Sequence, residues 1–339
     1  MHSTSAGIFS ENKLLIYLTD PTSHQSGGQM ANIGDQIIKD AIVDNIVPDG
    51  VSPNWLPLDV AQIPGSPNDK TKLVLAGANV ISNNPFINKN AWRPRLRDYK
   101  KIDSVCLFGV GWWKYQSAPN RLTQSFYHRF LASLPVLHSV RDSYSEQMLR
   151  QCGIDNVLNT GCPTMWKLPD LMRFDNGKAS GVVFTLTDYA KNPEMDKWLI
   201  EYLLAEYPQV YFFPQGIGDV AYLNQLRPRG MESIQTIAAT LEAYNDLLDT
   251  TVVDYVGVRL HGGIRAMQKG RRAIVVSVDN RAESIAKDTG LLAAARDELP
   301  EQLPPLVSQQ FTVELTLNRE NIQQFMVNFR ANFNLARLI

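Results

Sequence analysis

Apolar residues recur along this chain in two alternating periods, one strand-like and one helical. Residues 14–19 form a short β-prone run, a polar Gly-rich stretch follows, and Ile37, Ile38, Ala41, Ile42 and Ile46 then stand at helical spacing. The same alternation returns where 73–75 end at Gly77, where 105–108 end at Gly109 and Gly111, and where 136–140 run into Arg141-Asp142 and an amphipathic stretch over 144–152. A bridge over 161–178, carrying Pro163, Pro169 and Gly177, reads as a domain boundary. Beyond it the spacing predicts strands over 182–187, 210–213, 252–258 and 273–278, and helices over 194–206, 236–248, 261–269 and 282–288. Near the end, Ile322, Phe325, Met326, Phe329 and Phe333 lie on one narrow face of a final helix.

Alternation of this kind implies parallel sheets with helices on both faces, hence an α/β fold. We expect two Rossmann-like domains facing a cleft, over residues 1–170 and 171–316. A C-terminal helix within 317–339 should cross back to cover the core of the first domain. Ligands of such sheets sit beyond the carboxyl ends of the strands, so the residues there are the ones to read for chemistry.

Charge narrows the partners. With 33 Lys plus Arg against 34 Asp plus Glu, the net charge of -1 gives no global field for nucleic acid, and any bound anion must be held locally. The longest apolar runs, such as 14–18 and 273–276, fall far short of the ~18 residues that span a bilayer. Residues 1–13 lack the basic and apolar regions of a secretory signal, so the expected location is the cytoplasm, with peripheral contact at the inner face of the membrane left open. Cys106, Cys152 and Cys162 stand in no metal-ligand or CxxC spacing and read as buried, reduced thiols; no metal or other cofactor is expected.

Three strand ends carry candidate chemistry. The stretch Gly27-Gly28-Gln29-Met30-Ala31-Asn32-Ile33-Gly34-Asp35 opens the first helix, where free N–H groups favour an anion; it reads equally as a tight turn with Asp35 at a helix start. In Ser139-Val140-Arg141-Asp142-Ser143, Arg141 either reaches into the cleft for a carboxylate or phosphate or pairs with its neighbour Asp142. In Val258-Arg259-Leu260-His261-Gly262-Gly263 an Arg and a His close a strand and open a helix. Pro214-Gln215-Gly216 and Phe108-Gly109-Val110-Gly111 occupy similar places. Lys89, Arg93, Arg95, Arg97, Lys100 and Lys101 form the one basic run, which is either a solvated face or a contact for a phosphorylated, lipid-linked acceptor.

Asn32-x-Gly34-Asp35, Ser139-x-Arg141-Asp142 and Arg259-Leu260-His261, in this order and separation, resemble the polysaccharide pyruvyl transferase family. The resemblance spans 27–290. It implies a glycosyltransferase-B-like pair of domains and transfer of a pyruvyl group from phosphoenolpyruvate, the donor substrate, to two hydroxyls of a saccharide acceptor as a cyclic ketal. By similarity Arg141, Arg259, Leu260 and His261 hold phosphoenolpyruvate and Asn32 and Gly34 belong to the loop of the first domain; Gln215 and Gly216 join the expected substrate contacts from their place at a strand end. His261 is the candidate general acid or phosphate ligand and Asp35 the candidate base. Two rival readings stay open: a metal-independent glycosyltransferase using a nucleotide sugar, and a non-catalytic anion-binding homologue.

Overall fold

The computed structural model describes residues 14–23, 32–57, 63–64, 69–88, 91–132, 135–174, 177–308 and 312–333; Gly27, Gly28, Gln29, Met30, Ala31 and Lys89 lie outside them. The first half runs β1 (Leu14–Asp20), α1 (Ile33–Ile46), β2 (Trp55–Pro57), β3 (Lys70–Ala76), β4 (Ile102–Phe108), α2 (Arg121–Leu131), β5 (His138–Val140), α3 (Ser143–Gln151) and β6 (Val157–Asn159). A short strand, β7 (Leu171–Arg173), leads into the second half: β8 (Gly181–Thr185), α4 (Pro193–Glu206), β9 (Gln209–Phe212), α5 (Asp219–Leu226), β10 (Ile234–Thr236) and α6 (Leu241–Thr250). The chain continues through β11 (Val253–Gly257), α7 (Leu260–Gln268), β12 (Ala273–Ser277), α8 (Asn280–Thr289), β13 (Ala293–Ala295), α9 (Leu299–Ser308), β14 (Thr312–Glu314) and α10 (Arg319–Asn332).

The first sheet has the order β2-β1-β3-β4, all parallel. The parallel pair β5-β6 lies at its β4 edge, where the Gly109 amide donates to Ser139 Oγ at 3.0 Å. The second sheet has the order β10-β9-β8-β11-β12-β13, again all parallel. Counted within that half, this is 3-2-1-4-5-6, the doubly wound order whose direction reverses between its first and fourth strands. Its switch point therefore lies at the carboxyl ends of β8 and β11.

Period-two patterning explains the layers. In the first sheet Leu73, Leu75, Val105 and Leu107 face Phe126, Tyr127, Phe130 and Leu131 of α2. The alternate residues Val74, Ala76, Cys106 and Phe108 face Ile38 and Ile42 of α1 together with Phe325 and Phe329. The final helix thus crosses back over the first sheet as its apolar stripe predicts. Phe108 packs edge-on against Phe325 and Phe329 at 5.4 and 5.6 Å, and each fully buried Phe contributes about 1.5–3 kcal/mol. In the second half Val182, Phe184, Val256, Ile274 and Val276 face α4, α5 and α9, while Val183, Tyr255, Ala273 and Val275 face α6, α7 and α8.

Some elements differ from their patterns. The helix expected over 236–248 begins only at Leu241, because residues 234–236 pair with β9 as the edge strand β10. Ala238 and Ala239 had lent that stretch a helical look, and a tertiary pairing overrode it. Helices α2, α5 and α9 are not predicted by the apolar spacing, and α9 contains Pro304 and Pro305, which argue locally against a helix. The bridge holds a structured return, since β7 pairs antiparallel with β14 and the chain leaves and re-enters the second half side by side. All three cysteines are buried and unpaired with one another. Among the described residues no helix is long and apolar enough to cross a membrane.

Candidate active site

The site grows from the end of β11. Arg259 is the N-cap residue of α7, and a closed ring of hydrogen bonds fixes its backbone: its amide donates to Thr185 Oγ1 (3.2 Å), and Tyr255 Oη donates to its carbonyl (2.6 Å). Thr185 and Tyr255 hydroxyls are 2.7 Å apart, and because Tyr255 spends its proton on Arg259, Thr185 must donate to Tyr255. Burial pushes the Tyr255 phenol pKa up, which keeps that proton in place. Gly257 belongs there because a Cβ would sit 2.3 Å from Thr185 Oγ1. Gly263 is needed for a related reason, since its Cβ would press on Val275 and the Tyr255 ring at 2.8 and 3.0 Å. The first turn of α7 is therefore packed closely against the sheet at the switch point, where a helix N-terminus favours an anion.

The Arg259 guanidinium is buried and fully oriented. Nε donates to the Leu186 carbonyl at 2.9 Å, and Nη2 donates to both oxygens of Asp219 at 2.8 and 2.9 Å. The Tyr189 ring centroid is 5.1 Å from Cζ. Asp219, the first residue of α5, also accepts the amides of Gln215 (3.0 Å), Gly216 (2.8 Å) and Asp188 (3.1 Å). Burial pushes its carboxyl pKa up, and Arg259 with the amide donors pulls the other way. One buried carboxylate thus holds both the arginine and the loop that carries Gln215.

Across the cleft stands the start of α1. Asn32 caps it, accepting the Gly34 amide at 3.1 Å, while the Ile33 amide donates to the Gln215 carbonyl at 3.2 Å and joins the two halves. Asn32, Gly34, Gln215, Arg259, Leu260 and His261 line a single cleft, completed by Tyr189, Val258, Val278, Asp279 and Ala282. Gln215 is 2% exposed, and neither atom of its carboxamide has a hydrogen-bond partner. A buried group left so costs about 1–3 kcal/mol. His261 is buried with Nε2 3.7 Å from Cys162 Sγ, whose pKa burial raises while Thr164 and Arg141 oppose the rise.

Gly216 abuts Arg259, its Cβ position being 2.7 Å from Nη2. Asp35 lies in the first turn of α1, with its amide on the Asn32 carbonyl, and Arg141 closes β5. Neither is among the residues lining the cleft. Arg141 is buried over Gly111, donates to Asn79 Oδ1, and places Nε 3.4 Å from Asp142 Oδ2, while Asp142 caps α3 through the Ser145 amide at 2.7 Å. Sequence reading missed Asp188, Tyr189, Asp219, Asp279 and Cys162. Only Asp219 left a trace, as an acid at a helix start three residues after Gly216.

Two doubly wound sheets facing a cleft whose walls start two helices define a glycosyltransferase-B-like protein. Solved structures agree on this fold. The chain is similar to the S. aureus MnaA-UDP co-structure, at 10% identity over 95% of this chain and 97% of that one with a TM-score of 0.52. It is also similar to Methanocaldococcus jannaschii UDP-GlcNAc 2-epimerase in complex with UDP-GlcNAc and UDP, at 10% identity over 93% and 98% with a TM-score of 0.52. A search of curated proteins gave no match. The chain belongs to the polysaccharide pyruvyl transferase family, which it matches over residues 32–280, and it is on that basis a polysaccharide-modifying transferase.

Proposed function

We propose that this protein transfers the pyruvyl group of phosphoenolpyruvate to two hydroxyls of a saccharide, forming a cyclic ketal on a cell-surface or exported polysaccharide or its precursor. The observation that carries this reading is the meeting of Arg259 and His261, on the first turn of α7, with the Asn32 cap of α1 and the unpartnered Gln215 amide in one cleft. Phosphoenolpyruvate bears a carboxylate and a phosphate close together. Arg259 and the α7 N–H groups suit one anionic end, and Arg141, from the first half, is the second cation on domain closure.

His261 delivers a proton to the methylene carbon, making C2 cationic. One sugar hydroxyl adds to C2 and gives up its proton to Asp35. The C2–O bond to phosphate then breaks, and the second hydroxyl adds. One hydroxyl proton ends in the new methyl group and the other on the departing phosphate, so the balance is ketal plus inorganic phosphate. The Gln215 amide, a donor and an acceptor together, fits the junction of phosphoenolpyruvate oxygen and sugar hydroxyl.

The test is incubation with phosphoenolpyruvate and cell-envelope glycan precursors, reading phosphate release and glycan mass. A mass gain of one pyruvyl ketal is expected, and loss of a general acid in His261→Ala should slow it by about 100- to 10,000-fold. Near-wild-type turnover in that variant would remove the mechanism. Nucleoside diphosphate release from a sugar nucleotide would replace the donor, and thermal stabilisation by phosphoenolpyruvate without turnover would favour the non-catalytic homologue.

A further inference from the structure

Residues 70–141 carry twelve Lys and Arg against two Asp, a net charge of +10 inside a chain whose total is -1. Of the two acids, Asp98 is buried, accepts the Ile63 amide and pairs with Lys101 at 3.5 Å. Helix α2 has no acid at all. The excess of positive charge is thus confined to this segment, and the rest of the chain, with 21 Lys and Arg against 32 Asp and Glu, is anionic.

The segment between β3 and β4 displays this charge in a fixed outline. Trp92 is buried against Phe126 and Phe130 at 5.9 and 5.3 Å, and Tyr99 is half-buried edge-on to Phe130 at 4.9 Å. Pro94 and Asp98 also point inward, so Arg93, Arg95, Leu96, Arg97 and Lys100 all face out. Arg93 donates to the Phe86 carbonyl, tying the cationic stretch to the turn that carries Ile87. Ile87 and Leu96 are 78% and 79% exposed. Arg95, Arg97 and Lys100 make no ion pair among the described residues.

We propose that this face docks the protein on an anionic lipid surface. A soluble polyanion would engage the arginines but gain nothing from two bare aliphatic tips. A nucleic-acid surface would offer aromatic rings for stacking, whereas here Trp92 is turned into the core. A bilayer interface rewards both features, with lipid phosphates for the cations and the acyl boundary for Ile87 and Leu96. The proposal is independent of the phosphoenolpyruvate reading, since no cleft residue takes part.

The test is co-sedimentation of the full chain with vesicles of phosphatidylcholine alone or mixed with phosphatidylglycerol. Binding is expected to the mixed vesicles only, and to weaken as salt rises. Changing Arg95→Gln, Arg97→Gln and Lys100→Gln together removes three surface cations and should weaken it on the order of a hundredfold, with an unchanged thermal melt. Ile87→Ser with Leu96→Ser should weaken it several-fold and leave a remnant more sensitive to salt. Equal binding to both vesicles, binding to neither, or a triple variant that sediments like wild type would overturn the proposal. So would competition by dextran sulfate joined to indifference to the Ile87 and Leu96 changes, which would assign the face to a soluble polyanion.

Discussion

Arg141 follows β5, in the strand pair at the edge of the first sheet, and Arg259 follows β11 of the second, and each lies across a glycine. Their anchors differ. Arg259 is held by Asp219, a residue 40 positions away that no solvent reaches and that three backbone amides also grip. Arg141 has the adjacent Asp142, whose carboxylate is already engaged as a helix cap, and the neutral Asn79. A remote, immobilised anion takes a guanidinium through a two-oxygen contact, whereas the neighbouring cap residue meets Arg141 at a longer 3.4 Å. The second half therefore sets its arginine against a buried carboxylate, whereas the first sets Arg141 beside a neutral amide and a capping carboxylate.

Removing the anchors should expose this difference most. Asp219→Ala leaves the Arg259 charge buried beside only the half-exposed Asp188, so a loss of about 3–5 kcal/mol in urea unfolding is expected; Asp142→Ala loses a cap worth ~1 kcal/mol and a longer, 3.4 Å contact to Arg141, which keeps Asn79, so a smaller total loss is expected. Equal losses would erase the distinction between the two anchors.

Acid should weaken the first half before the second. His138 is buried, with Nδ1 accepting the Leu107 amide at 3.3 Å and Nε2 donating to the Leu131 carbonyl at 2.7 Å. Burial pushes its pKa down to about 4 from an ordinary 6.5. Between those values the unfolded chain binds the extra proton, so stability is complete above pH 6.5 and falls as pH drops toward 4, by roughly 3 kcal/mol. His138→Asn, which keeps an acceptor for Leu107, should flatten that slope in denaturation curves taken across the window. A slope unchanged by the substitution would assign the acid response elsewhere.

The smallest effects should come from the two glycines. A Cβ at Gly111 would sit 2.3 Å from Arg141 Nε, and one at Gly216 would sit 2.7 Å from Arg259 Nη2. Each Gly→Ala change should cost about 1–3 kcal/mol through overpacking. Because Arg259 lines the cleft and Arg141 does not, Gly216→Ala should lower turnover more than Gly111→Ala at equal loss of stability. The reverse order in paired activity and melting measurements would break the comparison.

Much of this was legible in the residues themselves. The strand and helix periods announced both α/β halves and the aromatic stripe that returns α10 to the first sheet, because side-chain burial repeats every two or 3.6 positions wherever a regular element has one wet face. The order of Asn32-x-Gly34-Asp35, Arg141-Asp142 and Arg259-Leu260-His261 pointed to the family that the match over residues 32–280 shows. Tertiary structure alone decided the rest. Asp219 became the anchor of Arg259, the Gln215 carboxamide was buried without a hydrogen-bond partner, and Cys162 came to lie beside His261 through approaches between distant segments. No local spacing encodes such approaches, since they follow from where the parallel sheets place their strand ends and from which buried polar groups then find partners.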